Sequence, residues 1–341
     1  MTAQAQPIAV DDSPTEAIDT FACFGSTCTA LVSGAGREGS PQQAVARART
    51  ALLAWHDRFS RFLPTSELSR MNADPRERVE VTPLMARLAQ AAITAGALTG
   101  GLVDATLLAE IETAGYTKDL GEPLALERAL ALAPPRAPAR PSRTPGWNRI
   151  EVDLGAPSIA RPPSLGLDSG GLAKGLFADI LAERLGTHDA FAIGCAGDLA
   201  LGGSAGTMRP VNVESPFDGS VLHTFHLSRG GVATSGIGRR SWLDADGRPV
   251  HHLLDPSTGR AAFTGVVQAT ALAPTALMAE IYAKAAILSG PEGARGWLTH
   301  GGAIVFDDGS FEAIAPPVAV EASQLASFLP RQSAAAAGVA G

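Results

Sequence analysis

LDSGGLAKGLFADILAERLG, residues 167–186, is the stretch on which the fold turns. Its first half is a glycine-rich turn and its second half an amphipathic helix. Glycines at such a strand-to-helix turn let backbone N–H groups approach an anion, and the helix N-terminus favours negative charge there. Lys174 adds a compact ammonium suited to a phosphate oxygen. The spacing is not G-x-x-x-x-G-K-[ST], so a nucleoside-triphosphate loop is excluded. The alternative is a plain turn with a solvated lysine. Only three of the 27 basic residues are lysines, Lys118, Lys174 and Lys284. Against so many arginines, each lysine is a candidate for work that a planar guanidinium does not do.

Outward from this segment, helices and strands follow each other without a βαβ rhythm. Ser40-Pro41 and Thr82-Pro83 are N-cap and first-turn signals. The first helix carries Val45, Ala48, Leu52, His56 and Phe59 on one face. The second carries Leu84, Leu88, Ala92, Ala95 and Leu98, and Gly100-Gly101 closes it. The Pro/Arg stretch Pro134–Pro145 is a surface loop. Strands are predicted at Ala22–Leu31, Trp147–Val152 and near 190–194, 210–214, 221–227 and 266–273. Ser158–Leu167, broken by Pro162-Pro163, is at best an edge segment. Helices are predicted near 276–288 and 291–298, with a hairpin turn at 307–309. Many hairpins among mixed elements make the fold class α+β rather than doubly wound.

The 341 residues suffice for two lobes or one large domain. A net charge of −7 speaks against a nucleic-acid partner. No apolar run is long enough to span a membrane. Residues 1–20 have neither a basic nor an apolar leader region and read as a disordered tail. Residues 319–341 read as a C-terminal segment ending in an Ala-rich tail. Cys23, Cys28 and Cys195 are odd in number, lack zinc spacing and read as buried thiols, so a cytoplasmic location is expected.

Other candidates for chemistry are the paired histidines His251-His252, which lead into a D-P-x-T-G turn. One could serve as a general base near neutral pH, or one could face solvent while the other packs. Thr234 and Ser235, followed by Arg239-Arg240, either line a phosphate pocket or form a tight turn. His223 and His226 read as strand-alternating residues rather than metal ligands. Glu280 and Lys284 stand four apart on a helix in the favourable order.

Taken in order, FGST (24–27), FSRFLPTSELSRMN (59–72), GLVDAT (101–106), LDSGGLAKG, GCAGD (194–198), ATSG (233–236) and HHLLDPSTG (251–259) resemble the ApbE family of FAD:protein FMN transferases. The resemblance runs from about Phe24 to Ala315. It implies a T-fold-like α+β architecture with mixed and antiparallel sheets and packed helices, over residues 21–318. FAD, as substrate, would lie in a cleft between two lobes. FMN would pass through a phosphoester to a Thr or Ser of an acceptor flavoprotein, with AMP released. An FAD pyrophosphatase and a non-catalytic flavin binder are the alternatives. Carried over by position, Phe24, Asn72, Leu102, Val103, Asp104, Asp168, Lys174, Ser235 and Leu253 would bind FAD. His252 would be the base toward the acceptor hydroxyl.

The family's metal segment implies Mg²⁺ held by the Gly171 carbonyl and an A-D-x-x-x-T helix. In AEIYAKAA (279–286) those side-chain positions are Glu280 and Lys284. Glu can ligate Mg²⁺ and an ammonium cannot. Lys284 is therefore expected to replace part of the metal's charge, or else to close a dead site. Lys174 and Lys284 are the expected source of positive charge for an anionic dinucleotide. Ala196 also departs from the family, replacing the first glycine of its usual G-G-D.

Overall fold

Successive antiparallel pairings, each between strands adjacent in chain order, build one eight-stranded sheet. The computed structural model describes residues 16–118 and 121–317. The sheet strands are β1 (Glu16–Cys23), β2 (Ser26–Ser33), β3 (Ala190–Cys195), β4 (Asp198–Gly202), β5 (Gly230–Gly236), β6 (Val266–Ala273), β7 (Gly302–Phe306) and β8 (Phe311–Ile314). Between β2 and β3 the chain inserts α1 (Pro41–Phe59), α2 (Pro83–Thr99), a small three-stranded sheet and α3 (Ala173–Leu185). A last long helix, α4 (Ala276–Ala294), joins β6 to β7. The α+β class read from the sequence is the one observed.

Helices α1, α3 and α4 pack on the sheet. Elsewhere the hairpin Arg209–Glu214/Val221–Leu227 presses Val213 and Phe225 on Leu201, Val232 and Leu272. The predicted caps form: Ser40 and Gln43 make a reciprocal capping box on α1, Thr82 caps α2, and Gly100 ends α2 in the left-handed region. Helix α3 is not amphipathic. Leu176, Phe177, Ala178, Ile180 and Leu181 are all buried, so its middle is covered on several sides, and only its last turn exposes charge, at Glu183 and Arg184.

Two contacts set α4 against α3. A Cβ on Gly175 would stand 2.8 Å from the Ala276 carbonyl oxygen and the Leu277 Cα, so only glycine admits this approach. Asp179 then accepts the N–H groups of Ala276 and Leu277 at 2.7 and 2.9 Å, capping α4 from the neighbouring helix. Burial pushes the Asp179 carboxyl up to about 6, against the pull of those N–H groups.

Several expectations are corrected. β1 begins at Glu16, inside the stretch read as a tail, because Glu16–Cys23 pairs along its whole length with β2. Residues 1–15 and the segment 319–341 lie outside the described residues. Ala22–Leu31 is two strands, folded back at Phe24-Gly25. Trp147–Arg149 is a 3₁₀ turn and only Glu151–Asp153 is strand. Ser158–Ala160 is the middle strand of the small sheet, not its edge, and ends before the two prolines. Leu98 is exposed on α2. The helix expected at 291–298 is the continuation of α4 past a break at Gly290, then a 3₁₀ turn at Arg295–Trp297. Thr234 and Ser235 lie in β5, a central strand, rather than in a phosphate loop. All three cysteines are buried free thiols.

The β1–β2 and β3–β4 turns place Phe24 (φ 55°) and Ala196 (φ 54°) in the left-handed region, each followed by a glycine there. Both central positions of such hairpin turns need positive φ, which costs a Cβ-bearing residue about 1–2 kcal/mol. Ala196→Gly should therefore stabilise the fold by about 0.5–1 kcal/mol net of the added chain entropy. Chemical denaturation checks this, and an unchanged or lower midpoint contradicts the strain.

Candidate active site

A cavity of about 590 Å³ opens where the turn after α2, the loop before α3 and the β5–β6 connection converge. That volume suits a small-molecule or cofactor site. Its walls come from distant segments: Phe24, the end of α1 through Leu63, Leu102–Ala105, Asp168–Lys174, Arg239–Ser241 and His252–Leu254. Backbone bonds tie these together, as where the Asp168 N–H meets the Ala105 carbonyl at 2.8 Å.

A buried charge cluster lies at one side of the cavity. Lys174 Nζ meets Asp198 Oδ2 at 2.5 Å and Glu280 Oε1 at 3.4 Å. Lys284 Nζ donates to the same Glu280 Oε1 at 2.9 Å, and the Gly175 N–H donates to Oε2 at 3.0 Å. Burial works against charge on Lys174, but Asp198 and Glu280 outweigh it and raise its pKa. Burial likewise opposes charge on Glu280, and Lys284 and Lys174 outweigh it, holding Glu280 below the usual carboxylate value. Asp198 is pushed up to about 7 by burial and by Glu280, against the pull of Lys174. The two lysines are thus matched by two carboxylates. Both lysines also line the cavity, where the sequence expected them to supply positive charge. Arg239 and Arg240 line the cavity as further cations, and Arg240 also donates to the Phe24 carbonyl at 3.0 Å.

The opposite wall is aromatic and cationic. The Arg61 guanidinium lies 4.4 Å from the Phe62 ring centre and 4.5 Å from that of Tyr116, which stacks on Trp242. Arg61 Nε also stands 3.6 Å from Asp168 Oδ1. Asp104 spends Oδ1 on the backbone and hydroxyl of Thr106, at 2.9 and 2.6 Å. Its Oδ2 is buried without a partner, an acceptor left for a ligand donor.

The two histidines divide, His251 packed and His252 in the cavity wall rather than facing open solvent. His251 lies edge-on to Phe263, and its Nδ1 accepts the Leu253 N–H at 3.2 Å. Burial lowers its pKa to about 3. His252 lines the cavity and is held well below the usual imidazole value, first by burial and then by Arg240 and other nearby cations. It is a neutral imidazole at pH 7, and the cations that keep it so oppose its taking up a proton until a bound anion offsets them.

Of the residues expected to bind FAD, Phe24, Leu102, Val103, Asp104, Asp168, Lys174 and Leu253 line this cavity. Asn72 and Ser235 do not. Asn72 is turned to the backbone of Leu167, donating to its carbonyl and accepting its N–H, each at 2.8 Å. It positions the turn that carries Asp168. Ser235 is buried within β5, opposite Ala269 of β6. Arg239 and Arg240, singled out from the sequence, line the cavity, whereas Arg61, Phe62 and Tyr116 were not singled out. Their signal, a cation flanked by aromatics, appears only when residues 61 and 116 are brought together.

The expected Mg²⁺ does not fit these residues. Both Glu280 oxygens are taken by protein donors, and the Lys284 ammonium stands where a ligand is required. Gly171 lines the cavity, but a Cβ on it would lie 3.6 Å from Lys284 Cε, so the lysine stem fills the space beside it. Among the described residues, no group of three His, Cys, Asp or Glu side chains could hold a metal ion. Nor is any described helix long and apolar enough to cross a membrane.

The chain belongs to the ApbE family, whose sequence profile matches residues 24–306. It is 28% identical over 273 residues to the FAD:protein FMN transferase of Klebsiella pneumoniae (strain 342), covering 76% of this chain and 75% of that one. The enzyme of the same name from Escherichia coli (strain K12) is 29% identical over 150 residues, 42% of each chain. The fold is shared with the ApbE protein of Thermotoga maritima MSB8, with a TM-score of 0.70 at 23% identity over 88% of this chain and 97% of that one. It is shared too with the flavinyl transferase ApbE of Pseudomonas stutzeri, with a TM-score of 0.69 at 21% identity over 88% and 95%.

The depressed pKa of His251 gives a signed pH prediction. Below about pH 6.5 the unfolded chain takes up a proton that folded His251 refuses until about pH 3, so this group's contribution is lost on acidification. His251→Asn keeps an acceptor for Leu253 and removes that difference. The variant should gain on wild type by about 1.4 kcal/mol per pH unit below 6.5. Urea titrations at pH 7, 6 and 5 measure it, and parallel curves would mean that His251 protonates freely in the fold.

Proposed function

We propose that this chain is an FAD:protein FMN transferase, with FAD in the cavity and a Thr or Ser hydroxyl of an acceptor flavoprotein brought to its mouth. The observation that carries the reading is a neutral imidazole, His252, in the same cavity as Asp104, Lys174 and Lys284. A hydroxyl is a weak nucleophile until its proton is removed, and a neutral imidazole can remove it. The hydroxyl oxygen then bonds to the phosphorus on the FMN side of the FAD diphosphate. The bond from that phosphorus to the bridging oxygen breaks, and AMP leaves with the oxygen. The proton taken by His252 passes to solvent or to the departing phosphate, which restores the base.

The partnerless Asp104 Oδ2 supplies an acceptor for a flavin or ribityl donor, and the partly exposed Phe62 ring beside Arg61 supplies apolar area for a planar ring. Unpaired thiols on three buried cysteines accord with a cytoplasmic location, which belongs to the same proposal.

The test mixes purified protein, FAD and a flavoprotein domain with a modifiable Thr, and follows covalent flavin fluorescence on a denaturing gel beside AMP release. Wild type should label the domain, one AMP per FMN. His252→Ala should still bind FAD while labelling slows by about 100-fold or more. Asp104→Ala should weaken FAD binding by about tenfold. Free FMN and AMP without labelled protein would identify a pyrophosphatase. FAD bound without turnover would identify a carrier.

A further inference from the structure

We propose that this chain holds and cleaves the FAD diphosphate without a divalent cation, with the Lys284 ammonium facing the phosphates in the metal's stead. The proposal rests on the flavin-transfer reading above. Its ground is the arrangement of four buried groups. Glu280 is fully buried and Lys284 is 6% exposed, so their contact is sheltered from solvent screening. The carboxylates of Asp198 and Glu280 at most balance the two ammonium charges of Lys174 and Lys284, which leaves no net negative site to draw a divalent ion. Hydrogen bonds from Lys284 and Gly175 already occupy both oxygens of Glu280.

Lys284 has donors to spare. Among the described residues its ammonium makes one hydrogen bond, to Glu280, and an ammonium has three N–H groups. It lines the cavity beside Gly171, at the turn that opens α3. Glu280 acts from behind, fixing the ammonium so that its remaining N–H groups are presented to the cavity. A phosphate there meets fixed charge and fixed donors, which act at no reorganisation cost as charge develops on the leaving oxygen.

Two measurements on the full chain, stripped with EDTA and desalted, test this. The first titrates Mn²⁺ without FAD, read by electron paramagnetic resonance. Wild type should bind none at millimolar ion, whereas Glu280→Asp/Lys284→Thr should bind it. Stoichiometric Mn²⁺ on wild type overturns the proposal whatever the flavin result. The second measures FAD affinity by quenching of flavin fluorescence, with EDTA and with Mg²⁺. Wild-type affinity should be the same in both, and covalent labelling should survive EDTA. Because Lys284→Met alone would strand a buried carboxylate and endanger the fold, the paired change Glu280→Gln/Lys284→Met is used beside it. The pair should keep its thermal midpoint yet lose FAD affinity by about tenfold or more, unrestored by Mg²⁺. A folded pair with wild-type affinity, or wild type that needs Mg²⁺, overturns the proposal. If wild type binds no FAD under either condition, the flavin reading itself fails and takes the proposal with it. The Mn²⁺ titration distinguishes the two failures, because it contains no flavin.

Discussion

The ion cluster joining Lys174, Asp198, Glu280 and Lys284 is the constraint on which the site depends. It links α3, the start of β4 and α4 through side chains of which Asp198 and Glu280 have almost no access to water and Lys174 is 16% exposed. Such a cluster is poor evidence of stability in itself, since each charge loses its hydration on burial. Its effect is positional. With any member removed, the others are left as uncompensated buried charges, at a cost of about 3–5 kcal/mol. The four positions are therefore locked to one another, and the cavity wall they form has a single arrangement.

Backbone geometry delivers the cluster. The Ala196-Gly197 turn brings Asp198 to the head of β4, and Gly175 lets α4 approach α3 closely enough for Glu280 to reach the Gly175 N–H. Asp179, one turn further along α3, fastens the start of α4. On the other side of the cavity, Asn72 fastens Leu167 so that Asp168 faces Arg61. The buried Arg161 guanidinium donates to the carbonyls of Met71, Asn72, Asp74, Pro162 and Pro163 and, among the described residues, has no carboxylate in an ion pair with it. Five carbonyl oxygens from two chain segments are thereby gathered around one cation.

What could be read from the sequence was what short-range bonds determine. Ser40-Pro41, Thr82-Pro83 and Gly100 mark helix ends because their partners lie within a few residues. Seven of the nine expected flavin contacts reach the cavity because they belong to motifs whose neighbours reach it too. β5 was illegible as strand because GGVATSG has little intrinsic β-propensity, and its extension is imposed by β4 and β6 on either side. Asn72 and Ser235 lie in the right motifs but turn elsewhere, and side-chain direction is a tertiary matter. The Glu280–Lys284 pairing was visible at i, i+4, yet its neutral balance was not. That balance needs Lys174 and Asp198, which reach the pair only through the packing of α3 and β4 on α4.

The connection between β2 and β3 bears on how the protein is made. These strands are sheet neighbours, yet residues 34–189 intervene, and Lys284 lies almost a hundred residues beyond that. Long-separated pairings form late, because loop closure must come before any contact can reward it. A chain emerging from the ribosome holds Asp104 and Asp168 long before it holds His252, Glu280 or Lys284. Until α4 arrives, Lys174 has only one of its two carboxylate partners. Capture of the dinucleotide and competence for chemistry thus mature together at the end of synthesis, and a truncated chain is left with neither.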